Sequence, residues 1–241
     1  AKMCTLEKRG NLFILTLVGN GEHRLNPPLI NEILQSLRQA KVEAQRGSVL
    51  ITVSNGKFFS NGFDIPWAQS ISGGSESKSM ELLQHMVELF KSVVIELVSL
   101  PMPSIAAVNG HAAAAGMVLA LCHDYVLMRS DRGVFYMPEV DLGLPLPDYF
   151  SALFREKISS PMIWRDLLLA GRKLGGAEAV DAKFIDSVYG GEEKLIDGAK
   201  CFAERLSKRK WNGQTYKMIR MSMLPSFSEV LGLSNVEASK L

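Results

Sequence analysis

The chain has 241 residues, 47% hydrophobic and 22% charged, with a formal net charge of +2 at pH 7. That balance reads as an ordinary soluble globular protein, long enough to bury a full core as one domain or as a domain with an appendage. So small a charge gives no case for nucleic acid as a partner, and the longest apolar stretch, from Ala112 to Cys122, falls short of the roughly 20 residues a membrane span needs.

Ala1 and Lys2 precede Met3 and are set aside, and no apolar signal-peptide core comes before Lys8 and Arg9. Residues 11–18 form an apolar run ending at Gly19-Asn20-Gly21, a strand followed by a turn. Pro27 and Pro28 open a helix over residues 29–41, with Ile30, Ile33, Leu34 and Leu37 at helical spacing. Residues 49–54 make a buried strand stopped by Asn55-Gly56. The Ser-rich segment 70–79, with Gly73 and Gly74, predicts a flexible stretch. It leads into an amphipathic helix from about Met80 to Ser99, ended by Pro101 and Pro103.

A strand at 104–109 and an apolar helix through Ala120 follow, then strands at 125–129 and 134–136. From about Ser160 the pattern is helical, over 161–170, 176–183 and 194–209. The cationic cluster at 205–210 reads as a solvated helix end, with a phosphate-binding patch as the sharper alternative. Strands alternating with helices are the signature of an α/β fold. Cys4, Cys122 and Cys201 are odd in number, widely spaced and without metal-ligand spacing, which implies free thiols in a reducing compartment.

Two loops and one acid carry the chemistry. The first loop, residues 57–64, reads Lys-Phe-Phe-Ser-Asn-Gly-Phe-Asp; the second, 109–116, reads Asn-Gly-His-Ala-Ala-Ala-Ala-Gly. Residues this small let another molecule approach the backbone and its N–H groups. Gly62 permits positive φ, so the Phe63 N–H can project from a tight turn. The second loop begins a helix whose first N–H groups lack internal acceptors and favour a polarised oxygen. Taken singly, an ordinary turn and close helix packing are the plainer readings. Glu139, in Pro138-Glu139-Val140-Asp141-Leu142-Gly143-Leu144, is a lone acid that could move a proton, or else a solvent-facing carboxylate. The combination implies chemistry on a carbonyl compound.

In order and spacing these motifs resemble the crotonase (enoyl-CoA hydratase/isomerase) superfamily over about residues 10–190. The resemblance implies an α/β crotonase-type spiral of ββα units with a C-terminal helical oligomerisation region. Its expected division is a catalytic core at 3–190, helices at 191–238 and a targeting tripeptide at 239–241, assembled as a homotrimer or hexamer. It implies that the Phe63 and Ala115 N–H groups form an oxyanion hole, and that Ser60, Asn61, Gly62, Asp64 and Gly116 contact coenzyme A. Leu142 and Leu144, with Leu146 and Phe150, would wall the pocket. No metal or other cofactor is expected, since coenzyme A enters as part of the acyl-CoA substrate.

Hydratases of the superfamily carry two glutamates. At the first place this chain has Val118, which can neither orient nor deprotonate water; the second place matches Glu139. The superfamily's Δ3,Δ2-enoyl-CoA isomerases work with one glutamate. The resemblance therefore implies a shift from 3-enoyl-CoA to trans-2-enoyl-CoA in unsaturated fatty acid β-oxidation. Hydration, thioester hydrolysis and non-catalytic acyl-CoA binding are the alternatives, and Asp148 is a rival proton carrier. Typical members have glycines where Ala114 and Ala115 stand, so negative φ is expected there. His111 reads as a satisfied core histidine, Asp64 as a cap of its own loop, and Arg24 and Lys57 as phosphate contacts or plain surface charges. The final Ser239-Lys240-Leu241 matches the peroxisomal address read by an import receptor, which implies a peroxisomal location.

Overall fold

In the computed structural model, which describes residues 2–19 and 21–233, the chain advances by a repeated step through two sheets. β1 (Cys4–Arg9) and β2 (Leu12–Leu17) form an antiparallel hairpin, and α1 (Pro27–Val42) follows. Strands then come in pairs: β3 (Val49–Ser54) with β4 (Phe58–Ser60), β5 (Ser104–Val108) with β6 (His111–Ala113), and β7 (Tyr125–Arg129) with β8 (Val134–Tyr136). β9 (Leu174–Gly175) and β10 (Ser187–Tyr189) complete the set. One member of each pair enters a six-stranded sheet of order β1-β2-β3-β5-β7-β10, the other a four-stranded sheet of order β4-β6-β8-β9. This is the expected spiral.

β3 and β5 are buried at every residue, as parallel strands covered on both faces must be. Their side chains alternate between two cores. Leu50, Ala106 and Val108 face the main core, while Val49, Ile51, Ile105 and Ala107 pack with Leu195, Ala199 and Ala203 of α9 (Glu192–Ser207). Leu224, Phe227 and Leu231 in the last described helices also join the main core. Among the described residues no helix is long and apolar enough to cross a membrane. Cys4 and Cys122 are buried and Cys201 is exposed, all as free thiols.

The expected flexible stretch at 70–79 is instead a helix–helix junction. α2 (Ile65–Ser72) ends at Gly73 with φ 62, and Ser75 caps α3 (Glu76–Val98) by accepting the Lys78 N–H at 3.3 Å. Ser and Gly were read there as flexible, yet both serve as helix punctuation, one at the N-cap and one past the C-terminus. β1 was not foreseen, because its outer residues are polar and exposed, as an edge strand requires. The tripeptide Ser239-Lys240-Leu241 lies outside the described residues.

Candidate active site

The two loops meet backbone to backbone. A Cβ placed on Gly116 would lie 2.2 Å from the Ser60 carbonyl oxygen, and one on Gly62 would lie 2.8 Å from the Ala114 methyl and 3.5 Å from the Ala115 nitrogen. Glycine at 116 is therefore required by the approach of the first loop. Gly62 also has φ 73, a conformation that favours glycine. On the other side, the Ala114 N–H donates to the Tyr136 carbonyl at 3.0 Å. That bond ties the second loop to the end of β8, and three residues later the chain begins α5 (Glu139–Leu142).

Phe63 is anchored by its ring, edge-on to Phe90 at 5.6 Å and stacked with Phe150 at 6.3 Å. Its neighbours bond to Leu25: the Leu25 N–H donates to the Gly62 carbonyl at 2.8 Å and the Asp64 N–H to the Leu25 carbonyl at 3.2 Å. The Phe63 N–H takes no part in this bridge and, among the described residues, has no backbone acceptor. Ala115, fully buried, is the first residue of α4 (Ala115–Leu121), where a helical N–H has no internal partner.

Glu139 is not solvent-facing. Its Oε2 is buried and has no hydrogen-bond partner among the described residues. Burial pushes its carboxyl up to about 7, against a smaller opposing effect of a backbone hydrogen bond at the same residue. It lines a cavity of about 500 Å³ with Val140, Leu144, Leu146, Trp164 and Leu168; the last two come from α7 (Pro161–Leu169). A second cavity of about 500 Å³, between α2 and α3, shares Leu144 and adds Leu142, Met80 and Leu83. An unpartnered buried carboxyl costs stability, and such costs concentrate at working sites. Val118 is fully buried in α4, with no acid at its place.

Several of the expected residues have partners within the fold, and Asp64 is the cap it was expected to be. Ser60 is fully buried and its hydroxyl donates to the His23 carbonyl at 2.8 Å, so its side chain is not open to a ligand. Asp64 caps α2, accepting from the Trp67 N–H at 3.0 Å and from the Asn26 amide at 3.0 Å. Asn61 accepts from the Tyr136 hydroxyl at 3.4 Å. Phe150 is a core residue beneath Phe63 and not a cavity wall. Asp148 is exposed and its Oδ1 accepts from the Tyr149 N–H at 2.7 Å.

His111 is not a satisfied core histidine. It is half-buried, tilted against Phe58 at 5.0 Å, with Nδ1 buried and unpartnered among the described residues. Burial first, then the nearby Lys57, Arg132 and Lys173 charges, hold its pKa down. Arg24 is paired with Glu22 at 2.5 Å, and Lys57 lies 5.8 Å from the Phe58 ring centre. Ala114, expected at negative φ, has φ 50 and ψ −126. The positions not foreseen are Asn26, Tyr136 and Trp164. Only the first left a local signal, an N-cap residue ahead of two prolines.

The description "Enoyl-CoA hydratase/isomerase" matches residues 19–231. The chain is 56% identical to the Arabidopsis thaliana protein named "Enoyl-CoA delta isomerase 2, peroxisomal", over 96% of each chain. It is 44% identical to "Enoyl-CoA delta isomerase 1, peroxisomal" of the same plant, over 92% of this chain and 90% of that one. Among solved structures, an enoyl-CoA hydratase from Mycobacterium ulcerans Agy99 superposes with a TM-score of 0.83 at 19% identity, covering 98% of this chain and 99% of the other. That last likeness is one of fold; the first three carry the family. The chain therefore belongs to the enoyl-CoA hydratase/isomerase family.

Proposed function

We propose that the protein shifts the double bond of 3-enoyl-CoA to give trans-2-enoyl-CoA, with Glu139 as the sole proton carrier. Glu139 takes a proton from C2; the C2–H pair forms a C1–C2 double bond and the carbonyl pair moves onto the thioester oxygen, giving a dienolate. The same carboxyl returns the proton at C4 as the carbonyl re-forms and the double bond settles between C2 and C3. The Phe63 and Ala115 N–H groups hold the thioester oxygen as it becomes negative, each contributing roughly 3 kcal/mol. The observation that carries this reading is the buried, unpartnered Oε2 of Glu139, with no second acid at Val118. One acid in an apolar cavity suits a transfer that begins and ends on carbon, whereas adding water requires a second group to orient it. The delta-isomerase names of the two plant relatives support the same reaction.

The purified protein should convert 3-enoyl-CoA to trans-2-enoyl-CoA. Hydration of trans-2-enoyl-CoA at a rival rate would replace this reading with a hydratase, and tight acyl-CoA binding without turnover would replace it with a binding protein. Its pH profile follows from Glu139. Catalysis begins with the ionised carboxylate, so kcat/KM should fall with a single protonation as pH drops through about 7 and level off above it. A profile still flat at pH 5 would remove a buried carboxylate from the first step.

A peroxisomal location is part of the proposal. Two relatives bear that word in their names, and Ser239-Lys240-Leu241 would be read by the import receptor from a free C-terminus. A fluorescent fusion ending in this tripeptide should be punctate, and diffuse without it. A homotrimer or hexamer is proposed as well, on the family resemblance and the exposed Ile219 and Met223 of the C-terminal helices. Light scattering on the purified protein reads it directly.

A further inference from the structure

We infer that Ala114 is a positioning residue whose methyl group spaces the two oxyanion loops and so sets the distance between the Phe63 and Ala115 N–H groups. This rests on the oxyanion role proposed above. Its backbone, φ 50 and ψ −126, is that of the first central residue of a type II′ turn, a position dominated by glycine. An alanine there is strained. The turn is imposed from both sides: the Ala114 N–H donates to the Tyr136 carbonyl at 3.0 Å, and its own carbonyl accepts from the Met117 and Val118 N–H groups at 2.9 and 3.2 Å. Glycine would satisfy the same bonds without strain, so the turn itself does not call for a methyl.

The methyl's contact explains its presence. A Cβ on Gly62 would sit 2.8 Å from the Ala114 Cβ, so the methyl rests directly against the Gly62 backbone. Gly62 and Ala114 each immediately precede a proposed donor, Phe63 in one loop and Ala115 in the other. The one methyl between them therefore sets how close the donors come. From 112 to 123 Ala114 is also the one residue not buried. Strain retained at a part-exposed position, where glycine would relieve it, points to function rather than core packing.

The test is Ala114→Gly, with Ala114→Ser as the variant that keeps a Cβ. In the glycine variant kcat for 3-enoyl-CoA isomerisation should fall roughly tenfold or more, since a donor misplaced by about 1 Å can cost up to a hundredfold. KM should stay within about twofold and the melting temperature should not fall. The carbonyl stretch of bound octanoyl-CoA, carbon-13 labelled at the thioester, should be lowered in the parent protein and return toward its solution value in Ala114→Gly. The serine variant should keep both readouts. An unchanged kcat and carbonyl frequency in Ala114→Gly overturns the inference, as does a serine variant that fails equally. A parent protein that lowers the carbonyl frequency without isomerising would sink the proposed reaction alone, while the carbonyl comparison still decides the spacer. No lowering in the parent would sink both.

Discussion

Replacing Glu139 with glutamine is expected to lower kcat for isomerisation by roughly 10³- to 10⁴-fold while acyl-CoA still binds. The amide keeps the shape of the side chain but can neither accept the C2 proton nor return it to C4, and no other acid stands at Val118 to take over. Stability should move the other way, and the sign can be worked out. The Glu139 carboxyl is raised from 4.5 to about 7 by burial, so its protonated form suits the fold. Its favourable contribution is complete below about pH 4.5 and is lost as pH rises through about 7. Above that pH the parent protein carries a buried, unpartnered charge that the variant lacks. Glu139→Gln should therefore be more stable than the parent at pH 8, by about 1–3 kcal/mol, and nearly equal at pH 4. Urea unfolding at the two pH values reads the difference. Full isomerase activity in this variant would take Glu139 out of the mechanism.

Arg220→Met is expected to destabilise the fold by about 3–5 kcal/mol without touching the loops. Arg220, on α10 (Gly213–Met223), is 5% exposed and grips Asp124 with two bonds, Nε to Oδ1 at 2.6 Å and Nη2 to Oδ2 at 2.7 Å. It also donates to the carbonyls of Val98, Leu100 and Met102 at 3.1, 2.6 and 2.6 Å. One side chain thus closes the end of α3 and the entry to β5. Burial alone would raise the Asp124 pKa, but the attraction and hydrogen bonds of Arg220 outweigh it and hold the carboxyl below its usual range. Methionine fills the space and leaves that carboxylate without its strongest partner. Lys157, itself held down by burial, donates to the His123 carbonyl at 2.9 Å and is no substitute. Adding Asp124→Asn should recover part of the loss, since the uncompensated charge is then gone. A loss below about 1 kcal/mol for Arg220→Met would mean that the cluster is not desolvated as its burial indicates.

His123, next in sequence to Asp124, also serves the fold. It is fully buried, with Nδ1 donating to the Leu119 carbonyl at 2.9 Å and Nε2 accepting from the Thr52 hydroxyl at 2.7 Å. Burial, stronger than the opposing Leu119 hydrogen bond and the nearby Asp124 charge, lowers its pKa to about 4. It is a neutral strut between α4 and β3.

What the sequence determined by itself is local. Apolar period marked β2, β3, β5 and α1 to within a few residues, because a strand or helix writes its buried face directly into residue spacing. Small residues at 62 and 112–116 marked the loops, a property of residue type at a position, and the family resemblance made Val118, with Glu139 alone, point to the reaction class. Tertiary structure alone decided the rest. Glu139 shares its cavity with Trp164 and Leu168, more than twenty residues away, and Asp148 differs from it by exposure, not by chemistry. Ala114 owes its positive φ to bonds reaching β8, which no propensity of alanine foretells. Arg220 reaches Asp124, 96 residues earlier, only because α10 folds it there. Dielectric environment and imposed dihedrals depend on partners distant in the chain, so composition and spacing carry no record of them.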